Sequence, residues 1–237
     1  MAPFLFSRSV PVTKPTVEIV RPRLVLATTL LPDGDAGERA LARALSGGDV
    51  ASVLIDPAGR GDAAFQDLAE RLVPLAQDAG AAAIIVDDTR CAGRVKADGL
   101  HVRGGDLEAL GEAIARFAPR QIVGASGFAT RHEALEAGER MPDYILFGEI
   151  GAEAGDAADA ADLALASWWA DIVELPVILA GGASLDTLED AANSGAEFIL
   201  LSRAVFGVQG QEAAAVAAAN AVFDAVLRNG AEGSAVA

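Results

Sequence analysis

The chain of 237 residues is long enough for one (β/α)8 barrel or two small domains, and its 52% hydrophobic content can fill a large core, which excludes a disordered chain. Eighteen Lys and Arg against 34 Asp and Glu leave a net charge of −16, a field that repels nucleic acid and acidic membrane surfaces and excludes a basic nucleic-acid binder. One cysteine, Cys91, and two histidines exclude an intramolecular disulfide and a zinc site of the usual thiolate and imidazole kind, a composition that suits a reducing cytoplasm.

No run approaches the ~18 to 20 uninterrupted apolar residues that cross a bilayer, so no membrane partner is expected. Residues 1–22 carry Arg8, Lys14 and Arg21 among four prolines and lack the apolar stretch of a secretory signal. They read as an N-terminal arm, either a poorly ordered tail or an element packed across a subunit contact in a homo-oligomer.

After the arm, short aliphatic runs alternate with Ala-rich stretches whose apolar residues recur every three or four positions. In chain order the reading is strand 24–29, helix 37–46, strand 51–55, helix 63–78 and strand 82–87. A crossover at 88–97, too short for more than one or two helical turns, leads to strand 98–102. Then come helix 107–117, strand 121–126, helix 131–140, strand 144–148 and a mobile loop at 151–159. Helix 161–172, strand 177–180, helix 185–193, strand 198–202 and helix 211–227 complete the chain. Runs such as Val177-Ile178-Leu179 suit strands buried on both faces. Regular alternation with eight strands predicts an α/β fold closed as a (β/α)8 TIM barrel at 23–228, with a short N-terminal extension and a flexible tail at 229–237. An open doubly wound sheet is disfavoured because Ala27-Thr28-Thr29-Leu30 stands where a dinucleotide-binding glycine motif would lie.

Ligand sites in such barrels sit at the C-terminal strand ends. Strand seven runs into Gly181-Gly182 and strand eight into Ser202-Arg203, where exposed backbone N–H groups suit a phosphate and Arg203 adds charge; a tight turn is the plainer use of the glycines. Asp87 ends strand three and Asp106 follows strand four. Together they offer hard oxygen ligands for Mg²⁺, or else Asp106 only caps the next helix and Asp87 is a polar turn residue. Of the two histidines, His101 reads as a core residue and His132 as a solvated surface residue; Cys91 reads as a packed small hydrophobe. Trp168-Trp169 are assigned to the outer layer of the barrel or a subunit contact.

Asp87, then A-D-G-L-H-V-R-G-G-D at 97–106, V-G-A-S at 123–126, D-Y-I-L-F-G at 143–148, L-A-G-G at 179–182 and L-L-S-R-A-V-F-G at 200–207 together resemble the thiamine phosphate synthase and thiazole tautomerase family. The resemblance implies a (β/α)8 barrel. It also implies Mg²⁺-assisted loss of pyrophosphate from a pyrimidine diphosphate, the resulting cation being captured by the nitrogen of a thiazole phosphate. It maps metal ligands to Asp87 and Asp106, a catalytic pyrophosphate contact to Ser126, and thiazole-phosphate contacts to Gly182 and Ser202.

The departures are specific. The family's Q-x-R-x-K after strand two falls on Val53, Ile55 and Pro57, its N-D-R on Val86-Asp87-Asp88, and its T-x-T-K on the acidic segment 151–156. Lys14 and Lys96 are the only lysines, so the family's diphosphate-binding lysines have no counterpart; Arg60 and Arg103 are candidate substitutes. The tautomerase histidine is also missing, since Gly127-Phe128-Ala129 follows Ser126. Two functions are therefore expected in competition: a cytoplasmic, Mg²⁺-dependent thiamine phosphate synthase, or a divergent paralogue that binds a small phosphorylated heterocycle without transferase activity.

Overall fold

The computed structural model describes residues 20–151, 153 and 155–235, so most of the expected arm lies outside the described residues. The elements are β1 (Arg23–Ala27), α1 (Asp35–Leu45), β2 (Ser52–Ile55), α2 (Asp62–Asp78), β3 (Ala82–Val86), α3 (Thr89–Val95), β4 (Gly99–Val102) and α4 (Leu107–Phe117). They continue with β5 (Ile122–Ser126), α5 (Arg131–Gly138), β6 (Tyr144–Phe147), α6 (Ala160–Ile172), β7 (Val177–Ala180), a 3₁₀ turn (Leu185–Thr187), α7 (Leu188–Ala192), β8 (Phe198–Leu201), α8 (Arg203–Phe206) and α9 (Glu212–Ala235). All eight strands pair in parallel in chain order. The sheet closes where β1 meets β8, with Arg23 opposite Phe198 and Leu26 opposite Leu201.

β1, β3, β6 and β8 stop one or two residues short of their predicted ends because the chain leaves the ladder there; Asp87, for instance, turns to φ 60°. Helix α8 was not anticipated, and α9 continues past Leu227, where the sequence placed its end. Side chains alternate between two layers, as the strand period of two requires. Val25, Ala27, Leu54, Ile84, Val86, Tyr144, Leu146, Ile178 and Leu200 fill the barrel. Leu24, Leu26, Val53, Ile55, Ile85, Val123 and Leu179 face the helices instead.

Capping fixes where several helices begin. Asp88, Asp106 and Asp159 each accept two backbone N–H groups at the starts of α3, α4 and α6, and Thr130 with Glu133 forms a capping box on α5. The tryptophan pair splits its roles within the outer layer. Trp169 is fully buried, edge-on to Phe147, and donates its indole N–H to the Leu175 carbonyl at 2.9 Å. Trp168 is half-buried with the Arg131 guanidinium 4.9 Å from its ring centre.

Candidate functional site

The parity of β2 corrects one sequence expectation. Val53 and Ile55 pack outward under the helices and cannot line the mouth. The inward positions are Leu54 and, two residues on, Asp56, which is almost fully buried. Thr29 donates its hydroxyl to Asp56 Oδ2 at 2.8 Å, and the Ala58 N–H reaches Oδ1 at 3.2 Å. The Asp56 N–H in turn donates to Thr28 Oγ1 at 3.0 Å. A buried, fixed carboxylate thus stands at the inward position where β2 ends.

Arg103 leaves β4 and joins this carboxylate to another. Its backbone N–H and Nε bind the two oxygens of Asp87 at 2.9 and 2.7 Å, and its Nη1 lies 3.2 Å from Asp56 Oδ1. Asp87 holds the left-handed backbone that Asp tolerates better than most residues, anchored by its N–H on the His101 carbonyl at 2.9 Å. Asp87, Arg103 and Asp106 line one cavity of about 380 Å³. Arg60 and Asp87 line another of about 360 Å³, although Arg60 is held away by Asp33 at 2.6 Å and by the Leu31 carbonyl.

Both oxygens of Asp87 are engaged by Arg103, and Asp106 Oδ1 accepts the Glu108 and Ala109 N–H groups at 3.1 and 2.9 Å. A guanidinium thus already pairs with Asp87. A magnesium ion held by Asp87 and Asp106 would have to draw Asp87 away from Arg103 and take its remaining ligands from water and a diphosphate.

Ser126, at the end of β5, is 4% exposed, and its Oγ lies 2.9 Å from His101 Nε2. His101 Nδ1 lies 2.9 Å from the Tyr144 hydroxyl, and the two rings stack with centres 5.6 Å apart. Burial pushes His101 down to about 3 and raises the Tyr144 phenol, so the imidazole is neutral, donating from one nitrogen and accepting at the other. Gly124 permits this stack, because any Cβ there would enter the Tyr144 ring. The Gly105 N–H on the Ser126 carbonyl, at 2.9 Å, ties the loop after β4 to the same strand end. Ser126 is therefore held by His101 at the base of the mouth.

The backbone donors expected to cradle a phosphate are taken by the protein's own groups. The Gly181 N–H is committed to the Leu200 carbonyl at 2.8 Å, while the Ala183 and Ser184 N–H groups donate to the Gly155 and Asp156 carbonyls at 3.0 Å each. Glu153 Oε1 accepts the Ser202 N–H at 2.6 Å, and both its oxygens lie 3.2 Å from the Arg203 N–H. Gly182 is needed because a Cβ would collide with the Asp156 carbonyl. The segment expected to be a mobile loop therefore supplies specific contacts through its described residues. Ile150 joins the inner core, and Gly151 lies against the Thr29 side chain at the far side of the mouth. Glu149, Glu153, Asp159 and Asp162 line a cavity of about 620 Å³ beside it. Burial, then Asp159 and Glu149, raise the carboxyl of Asp162 above its usual range.

Asp56 and Glu153 were missed from sequence. The inward parity of β2 could have found Asp56; nothing in a Gly and Ala-rich segment distinguishes Glu153 from its acidic neighbours. The remaining chemically suggestive residues take plain roles. Cys91 is 2% exposed with its thiol pushed up to about 11 by burial, and His132 lies in the open 3.6 Å from Glu136.

Comparison with known proteins gives one consistent result. The family profile described as thiamine monophosphate synthase matches residues 24–205. A thiamine-phosphate synthase of Hyphomonas neptunium is 32% identical over 212 residues, covering 87% of this chain and 96% of that protein. One from Rhodospirillum centenum is 33% identical over 202 residues, covering 85% and 97%. Among solved structures, a thiamine phosphate pyrophosphorylase from Pyrococcus furiosus superposes with a TM-score of 0.72 at 23% identity, covering 87% of this chain and 98% of that one. A 3-hexulose-6-phosphate synthase does so at 0.63 and 15%, covering 84% and 99%. At these identities the two structures show the shared barrel alone.

Proposed function

Since the chain belongs to the thiamine monophosphate synthase family, we propose that it is a transferase of that type, acting in the cytoplasm on a pyrimidine diphosphate and a thiazole phosphate. The observation that carries the reading is the anion cradle at the ends of β7 and β8, where the Ser202 and Arg203 N–H groups hold a carboxylate. A phosphate monoester suits the same donors. In the reaction the methylene–oxygen bond of the pyrimidine diphosphate breaks, pyrophosphate leaves with the bonding electrons, and the thiazole nitrogen forms the new C–N bond. Arg103 is the cation best placed to receive the departing charge, and Ser126, held by His101, is the candidate donor beneath it.

One observation favours the second reading, a binding paralogue without transferase activity. Leu54 and Asp56 stand at the inward positions of β2, so a carboxylate faces the region where the diphosphate would have to settle. Incubating the purified protein with both heterocycles, with and without magnesium, and measuring thiamine phosphate separates the two. Product that depends on Arg103 supports the transferase. Thiazole phosphate binding with no product under either condition selects the paralogue.

A further inference from the structure

Glu153 meets the Ser202 and Arg203 N–H groups at the start of α8, a helix of four residues, too short for its terminus alone to define an anion site. A second observation comes from Ser202 itself. Its side chain is fully buried, and its Oγ is the one buried side-chain polar atom among the described residues without a hydrogen-bond partner. Leaving such a group unpaired is costly, and the Glu153 carboxylate does not relieve it. A carboxylate has two oxygens and uses them on two amides. A phosphate monoester has three terminal oxygens and can take both amides and the hydroxyl.

Charge makes the two anions exclusive. Glu149, Asp159 and Asp162 line the same cavity as Glu153, so a phosphate entering beside a retained Glu153 would add negative charge to an acidic pocket. We infer that Glu153 is an internal competitor for the phosphate cradle, a specificity-determining residue that keeps out ligands bearing only a carboxylate and yields to a phosphate monoester through the extra bond to Ser202 Oγ. The inference rests on the ligand class proposed above and adds what sets its selectivity.

The test is calorimetric titration of the full chain with inorganic phosphate and with acetate, comparing wild type, Glu153→Ala and Glu153→Gln. Removing a charged competitor that occupies two amides should tighten phosphate binding about tenfold or more in Glu153→Ala. Glu153→Gln, which keeps an acceptor oxygen without the charge, should fall between the two and guards against a folding defect of the alanine variant. Adding Ser202→Ala to Glu153→Ala should remove the advantage of phosphate over acetate. Phosphate affinity unchanged or weaker in both Glu153 variants overturns the inference, as does an equal gain for acetate. The product assay keeps the two readings apart. Tighter phosphate binding with no thiamine phosphate formed leaves the competitor standing and removes the transferase, whereas product formation with unchanged phosphate affinity does the reverse.

Discussion

Arg103 spans the mouth from the end of β4 to Asp56 beyond β2, a contact of 3.2 Å, without releasing Asp87. One cation is shared by two carboxylates, and the diphosphate proposed to reach it would have to compete with both. Asp56→Asn removes the buried partner's charge and should raise pyrophosphate affinity about tenfold or more, given ~1.5 to 3 kcal/mol for a charged hydrogen bond. Arg103→Ala should lower it by a similar factor. Calorimetry on the two variants checks this, and affinities equal to wild type in both would remove Arg103 from the diphosphate site.

His101 makes stability depend on pH in a defined window. Folding holds it near 3, against an ordinary 6.5, because the charged form would be buried. Below about 6.5 the unfolded chain takes up a proton that the folded chain refuses. This contribution to stability is full above that pH and falls as pH drops toward 3, by at most about 1.4 kcal/mol per unit. Urea titrations between about pH 7 and 5 should show the decline, and His101→Gln should flatten it.

Glu212 acts in a lower window. Arg43 grips it through Nε and Nη2 at 2.8 and 2.7 Å and holds its carboxyl near 2, below the ordinary 4.5. The stabilisation it brings is complete above 4.5 and is lost as pH falls through the folded value. Urea denaturation followed by circular dichroism should find Glu212→Gln less stable than wild type above about pH 4.5, with the gap closing as pH falls toward about 2.

Trp169→Ala should cost about 3 to 5 kcal/mol, since it empties a fully buried site and strands the Leu175 carbonyl. Trp168→Ala, at a half-buried position, should cost markedly less. Equal losses in urea denaturation would contradict the division of roles between the paired rings.

The barrel was legible because eight aliphatic runs and the helices between them carry their own periodicities, and β7 at Val177–Ala180 matches its expected bounds. The site was legible only in part. Gly182 and Ser202 stand where the strand ends and glycines place them, but parity reversed the assignment at Val53 and Ile55, which a one-residue shift sends to the opposite face. Glu153 was invisible for a different reason. Its role depends on meeting Ser202 and Arg203 from a distant segment, and no local pattern encodes that meeting.

The pairing of β1 with β8 has a consequence for how the protein is made. Arg23 cannot meet Phe198, nor Leu26 meet Leu201, until nearly the whole barrel has left the ribosome. Until then β1 has one open edge and the growing sheet another, each with unpaired backbone groups that invite pairing with other chains. Closing this seam joins residues far apart in sequence, and such contacts slow folding because the chain's entropy must be spent before they form. The interval between synthesis of β2 and arrival of β8 is therefore the period of greatest exposure to aggregation, and a chaperone that shields strand edges would act then.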